Sequence, residues 1–231
     1  MRIAAPLPDL VPAAPDWPAV TVQQEVRDGA PAPTHAVDAQ RASIAIAPGM
    51  HAEIDRAGRS ATLVTDRPWA DEVVAHPFLA APGAVFAWWD GREPLHGGAF
   101  VAGDGGAWVV LAGPHCLDLR PDAAARLGLA APPGDDPRRT KVRLRLPAGP
   151  ATAPLAGVVH LAWGDRVEAV AIDRRERLAR LVPHRSTWRE PSAPGAFLDL
   201  LAVPAYELRR PRDERLLDDV AGALLALQPG G

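Results

Sequence analysis

Lysine is almost missing from this chain. Lys141 is the only lysine in 231 residues, and Cys116 is the only cysteine. A single cysteine excludes an internal disulfide and a Cys-only zinc site, and it fits a reducing compartment. The single lysine is the sharper constraint. A nucleotide-binding phosphate loop ends in Gly-Lys-Ser/Thr, and its lysine reaches the β and γ oxygens. Here Lys141 stands in Arg139-Thr140-Lys141-Val142-Arg143, without glycines, and no Gly-Lys-Ser/Thr occurs anywhere. Gly-x-Ser-x-Gly is also absent, and Ser43, Ser60, Ser186 and Ser192 stand in ordinary strand or loop contexts, which disfavours a serine hydrolase. No apolar run reaches membrane-spanning length: LLDDVAGALLAL (216–227) is too short and carries carboxylates. Cationic excess is lacking too. A net charge of −3 argues against a dedicated nucleic-acid binder, which needs a basic surface to displace counterions. The first twenty residues have one arginine, no continuous apolar stretch and repeated prolines, so no signal peptide is expected and a cytoplasmic location is.

What is present is a hydrophobic fraction of 48%, enough for one large core or two small ones. Prolines crowd residues 1–40, which read as an extended arm holding one short strand, VTVQQEV (20–26). From Ser43 the pattern alternates: Ile44 and Ile46, then Ile54, a turn at Gly58, and Ala61–Val64, which predicts paired strands. Residues 71–93 read as partly helical, with Pro82-Gly83 breaking the helix and Ala84–Asp90 a buried run that fits helix or strand, helix the better. LHGGAFV and GAWVVLA flank Asp104-Gly105-Gly106, a hairpin signal because these residues tolerate positive φ. Pro121–Leu129 predicts a short helix, and 131–138 a loop. KVRLRLP (141–147) alternates basic and apolar residues, as a strand with one wet face would. GVVHLAWGD (157–165) is an apolar strand followed by VEAVAI. Asp173 is placed to cap RRERLARLV, Ala196–Val203 predicts another helix, PAYELRRP is extended, and Pro211 sits where a last helix starts, with Leu217, Val220, Ala221 and Leu224 on one face. These elements make a mixed α+β chain, with a β-rich lead-in at 41–90, a central sheet at 91–172 and a helical part at 173–231.

The second strand of the glycine-rich pair runs through Ala112-Gly113-Pro114 straight into HCLDLRP. Taken in order, LHGGAFV…GAWVVL, GPHCLDLRPDAAARLGL, PLAGVVHLAWGD, ERLARLVPHRS, LDLLAVPAYELRRPRD and the final helix resemble the HPr serine kinase/phosphorylase-related family, in its bacterial branch of HPr kinase-like P-loop proteins. The resemblance runs from about Ile44 to Leu227 and includes no catalytic motif. It implies a single HPr kinase-like domain at 41–231. In that family the strand resembling GAWVVL leads into a Gly-rich loop ending in Gly-Lys-Ser, a helix, and a strand ending in paired aspartates. Only then comes the Gly-Pro-x-x-x-Asp-Leu-Arg segment. Relative to that order this chain lacks roughly 30 residues, about one strand–helix–strand unit. Asp135-Asp136 is an acidic pair, but it lies in a Pro-rich loop after that segment and is no convincing replacement.

The resemblance therefore implies a degenerate HPr kinase-like protein without its phosphate loop, a non-catalytic binding or scaffold protein holding no cofactor. Deleting the helix would bare a sheet face at Val109, Val110 and Leu111, to be covered by the N-terminal arm, a second copy or a protein partner. The competing reading is an ATP- or pyrophosphate-dependent, Mg-requiring kinase or phosphorylase with a non-standard nucleotide site. Its catalytic candidates are His96 and Asp118, and its phosphate-binding candidates are Arg209 and Arg210. His96 stands where the family carries a histidine before the nucleotide strand, but a hydrogen-bonded strand-end histidine is the plainer reading. Arg209, Arg210 and Arg212 can hold a phosphate or an acidic partner, or can be salt-bridged to Asp213 and Glu214 at the start of the last helix. His115 and Cys116, with His160 or His184, offer metal-ligand chemistry but match no zinc spacing, so no metal is expected. Aromatics at strand positions, such as Trp163, are expected in a core or a subunit interface.

Overall fold

A computed structural model describes residues 2–3, 15–28, 35–102, 108–110, 116–129, 141–145, 150, 152–186 and 193–227. They divide between two compact units: Met1–Asp90 with Gly98–Val101 and Trp108–Thr152, and Gly91–Gly97 with Ala102–Ala107 and Ala153–Gly231.

Alternation builds the first unit. Strands β1 (Arg2–Ile3), β2 (Ala19–Val26), β3 (Ala36–Val37), β4 (Arg41–Ala47), β5 (Met50–Asp55) and β6 (Ser60–Thr65) form one sheet in the order β1-β2-β6-β5-β4-β3. Register sets Ile44 opposite Ala52, Ala52 opposite Leu63 and Ala61 opposite Val22, so every second residue projects to one face. The strand expected inside the Pro-rich arm is an interior member of this sheet, parallel to β6. Gln24 lies on the same face opposite Leu63, and its amide both donates to and accepts from the main chain of Trp69 (2.8 and 2.9 Å).

After a three-residue turn of helix, α1 (Asp71–Val73), the apolar face is closed by α2 (Ala80–Trp89) through Val85, Phe86 and Trp89. The expected break at Pro82-Gly83 does not occur. Pro82 is the third residue of α2, where a backbone N–H has no intrahelical acceptor to lose, and Gly83 N–H makes the first bond back to Leu79 O (2.9 Å).

Further along, β7 (Phe100–Ala102) pairs with β8 (Trp108–Val110), as the glycine-rich turn predicts. The turn itself, Leu111, the Gly113–His115 stretch and Asp135-Asp136 lie outside the described residues, as do the side chains of Val109, Val110 and Cys116. Strand β9 (Cys116–Leu119) leads into α3 (Pro121–Arg126), with proline at its start and Gly128 in the left-handed region (φ +68°) after its end. Strand β10 (Val142–Arg145) returns antiparallel to β9.

In the second unit β11 (Val158–Trp163), β12 (Glu168–Ala171), α4 (Arg174–Leu181), α5 (Pro194–Ala202), β13 (Ala205–Arg210) and α6 (Leu217–Leu225) follow the expected order. The sheet order is β11-β13-β12, with β11 parallel and β12 antiparallel to the central strand. Asp173 caps α4 as expected, its Oδ1 accepting from Arg175 N–H (2.8 Å). Pro211 does not start the last helix. Asp213 caps a short 3₁₀ turn, Glu214–Leu216, and α6 begins only at Leu217. No helix among the described residues is long and apolar enough to cross a membrane.

Candidate functional site

Between Pro204 and Pro211 the chain has one extended run, AYELRR, and it becomes the central strand β13. Register places Glu207 opposite His160 and Val170, and Arg209 opposite Ala162 and Glu168, all on one face. Helices α4 and α5 cover that face: Val158, His160 and Ala205 line a small cleft with Arg177, Leu181, Leu200, Leu201 and Val203. Arg177 closes one end of α5, its guanidinium donating to the carbonyls of Leu201, Ala202 and Val203 (2.8–3.3 Å).

Charge on this face is balanced side chain by side chain. Arg209 Nε donates to Glu207 Oε1 (2.6 Å) and its Nη1 to Glu168 Oε1 (3.2 Å). Arg180 of α4 donates to the other Glu207 oxygen and to Glu176 (2.8 Å), and Arg166 closes on Glu168 (2.6 Å). Glu176, Arg180, Glu207, Arg209, Glu168 and Arg166 thus alternate in sign along one chain of contacts. The Arg209 guanidinium, then Arg180, holds the Glu207 carboxyl below the ordinary carboxylate range, and Glu207 in turn raises Arg209. The expected pairing with Asp213 and Glu214 is not what Arg209 makes; Asp213 binds Arg215 instead (2.7 Å). Arg210 points to the opposite face, over the ring of Trp163 (4.4 Å). Trp163 is 56% exposed, so it is not a core residue of this chain.

His96 is exposed, and what the structure engages is its main chain: its N–H donates to His184 O (2.6 Å). Around it residues 93–97 are bridged to 182–186. Leu95 pairs with Arg185, Ser186 N–H donates to Pro94 O (2.9 Å), and Arg185 donates to the buried carboxylate of Glu93. The His184 ring packs against His160 with centroids 5.4 Å apart. Asp118 belongs to the other unit. It lies opposite Arg143 in the β9–β10 register, accepting from Arg143 Nε (3.1 Å) and facing His76 Nε2 (3.5 Å). Arg143 contradicts the wet-face expectation for β10. It is 4% exposed, and its Nη2 donates to His76 O (2.6 Å).

His96 and Asp118 therefore fall in different units, and Arg209 and Arg210 on opposite faces of one sheet. Lys141 is exposed just before β10. His115 is outside the described residues, and no group of three or more metal-ligating side chains occurs among those described. Sequence reasoning missed the Glu93–Arg185 pair and the His160–His184 contact, because nothing local marks residues far apart in the chain as neighbours. Alternation of Tyr206, Leu208 and Arg210 against Glu207 and Arg209 is the one signal that separates the two arginines. No protein-family model, curated protein or solved structure matches the chain.

Burial, then His184, then Arg180 push His160 below its ordinary value of 6.5, while Glu207 opposes them. A histidine depressed in the folded state contributes stability that is present above its unfolded value and lost as pH falls through the folded one, since the unfolded chain takes up the proton first. The urea midpoint is expected to fall on acidification below about 6.5, and less so in a His160→Gln variant. NMR titration of His160 in His184→Gln is expected to move its midpoint upward. An unshifted His160, unchanged by that substitution, would contradict this picture.

Proposed function

We propose that this chain is a non-catalytic binding or scaffold protein, built on an HPr kinase-like framework whose phosphate loop is missing. The observation that carries the reading is the saturation of Arg209, one of the two phosphate-binding candidates, by Glu207 and Glu168, with Arg210 turned to the opposite face of the sheet. A phosphate would have to break two charge-assisted pairs to reach it. Asp118 likewise spends its carboxylate on Arg143, which supports a structural role for it rather than metal or proton chemistry. The role requires a protein partner or self-association, which the resemblance puts at Val109, Val110 and Leu111.

Thermal shift with Mg-ATP and with Mg-pyrophosphate tests the reading against the enzyme alternative. A micromolar site stabilises by about 4 kcal/mol at millimolar ligand, a large displacement of the melt. No displacement is expected with either ligand. A dose-dependent rise with either, lost in Arg209→Ala or in Arg210→Ala, would replace the binding-protein reading with the kinase or phosphorylase one.

A further inference from the structure

The face of the second unit's sheet that carries Arg210 also carries its most exposed large apolar residues. Register sets Leu161 opposite Leu208 and Trp163 opposite Arg210, so Val159, Leu161 and Trp163 project to one side of β11. Leu161 is 69% and Trp163 56% exposed. Strand β11 is an edge: it pairs with β13 alone among the described strands. Its hydrogen bonds to β13 show which backbone groups remain. Val158 N–H donates to Pro204 O (2.9 Å) and Gly164 N–H to Arg210 O (3.0 Å). In a parallel ladder, alternate residues direct both N–H and C=O to the same neighbour. The even-numbered residues of β11 therefore serve β13, and Val159, Leu161 and Trp163 turn their N–H and C=O to the open side. Those same three residues supply the apolar side chains.

Charge decides what fits there. Two guanidiniums lie over the Trp163 ring, Arg210 at 4.4 Å and Arg212 at 4.8 Å. Among the described residues neither has a carboxylate partner, in contrast to Arg209 next to them. Asp213, beside Arg212, is held by Arg215. A cation on an exposed indole is retained by the ring and still offers its outward N–H groups. The edge thus ends in an unneutralised double positive charge. A second copy paired antiparallel about Leu161 would satisfy the backbone groups, but it would set Val159 opposite Trp163 and bring no carboxylate to either arginine.

We infer that β11 is a docking edge for an extended acidic segment of a partner protein, added as a fourth strand, with apolar residues over Val159 and Leu161 and carboxylates against Arg210 and Arg212. Main-chain bonds would give such a complex affinity, and the alternate side chains its specificity. The inference rests on the binding-protein reading for its purpose, but its geometry is independent of the nucleotide question.

The test uses the full chain and a fluorescein-labelled peptide of alternating Val and Thr with two Glu at one end, beside a counterpart with Lys in place of Glu. Fluorescence anisotropy is expected to show binding of the Glu peptide, weakened by salt, and little binding of the Lys peptide. Arg210→Glu with Arg212→Glu is expected to weaken the Glu peptide on the order of tenfold and to admit the Lys peptide. Leu161→Pro removes an outward N–H without breaking a bond to β13 and is expected to abolish binding. Failure of the Glu peptide to bind at millimolar concentration, or equal binding of both peptides, would overturn the inference. So would a concentration-dependent dimer abolished by Leu161→Pro in the absence of peptide binding, which would assign the edge to a second copy. A melt displaced by Mg-ATP with the peptide results intact would sink the non-catalytic reading and leave the docking edge standing.

Discussion

Replacing Arg143 with methionine is expected to lower stability by about 3–5 kcal/mol, the usual cost of stranding one member of a buried ion pair. The size follows from what remains. Asp118 has 11% of its side chain exposed and accepts from Arg143 Nε at 3.1 Å. Losing the guanidinium takes the buried donor from the Asp118 carboxylate, which also faces His76 Nε2 at 3.5 Å, and takes a donor at 2.6 Å from the His76 carbonyl. In a chain of this size such a loss lowers the melting temperature by roughly 10 °C. Removing both charges is a different matter, because a well-packed apolar pair of similar volume avoids desolvation altogether. The double variant Arg143→Met with Asp118→Leu is therefore expected to recover most of the loss in urea melts. A single variant within about 1 kcal/mol of the parent would show that the pair is not buried as described.

Arg143 also marks where the sequence stops being legible. KVRLRLP alternates, and alternation correctly predicts a strand and its pleat. It does not say which face is wet, because a long arginine on a buried face looks the same as one in solvent until its partner is known. That partner is 25 residues away, in β9. The N-terminal sheet is legible for the opposite reason: Ile44, Ile54, Ala61 and Leu63 are apolar, fall on one face by alternation and are all buried, so pattern and burial agree at these positions. Pro82 and Pro211 show the same limit at helix ends. Proline marks a boundary, but whether it stands inside the first turn, as Pro82 does, or six residues before the helix, as Pro211 does, depends on the cap chosen nearby.

The candidate site divides along similar lines. Arg209-Arg210-Pro211-Arg212 is visible as a cluster in the sequence, and strand periodicity alone turns Arg209 and Arg210 to opposite faces. Glu207, two residues back on the same strand, holds Arg209 together with Glu168 of β12, and the indole beneath Arg210 comes from β11; only the three-stranded register brings Glu168 and Trp163 there. One cluster thereby acquires two roles: Arg209 is spent inside the unit, and Arg210 with Arg212 is left for something outside it.

His96 is placed by neighbours rather than by its own ring, and removing one of them is expected to release it. Arg185→Leu strands Glu93, whose side chain is 4% exposed and whose Oε2 already lacks a hydrogen-bond partner among the described residues. It also removes the guanidinium from above the Phe197 ring at 5.4 Å. A cost of about 3–5 kcal/mol is expected from the stranded carboxylate, with the cation–ring contact a minor addition. The loss should be local before it is global, because residues 93–97 are tied to 182–186 by a single bridge made of two main-chain hydrogen bonds, not by a long ladder. Hydrogen exchange is expected to quicken first at the amides of His96 and Ser186, which donate to His184 O and Pro94 O. Adding Glu93→Gln to Arg185→Leu is expected to slow that exchange again, since a neutral amide tolerates burial better than an unpaired charge. Unchanged exchange at both amides in the single variant would mean that the ion pair does not hold this segment and that His96 owes its position to the main-chain bridge alone.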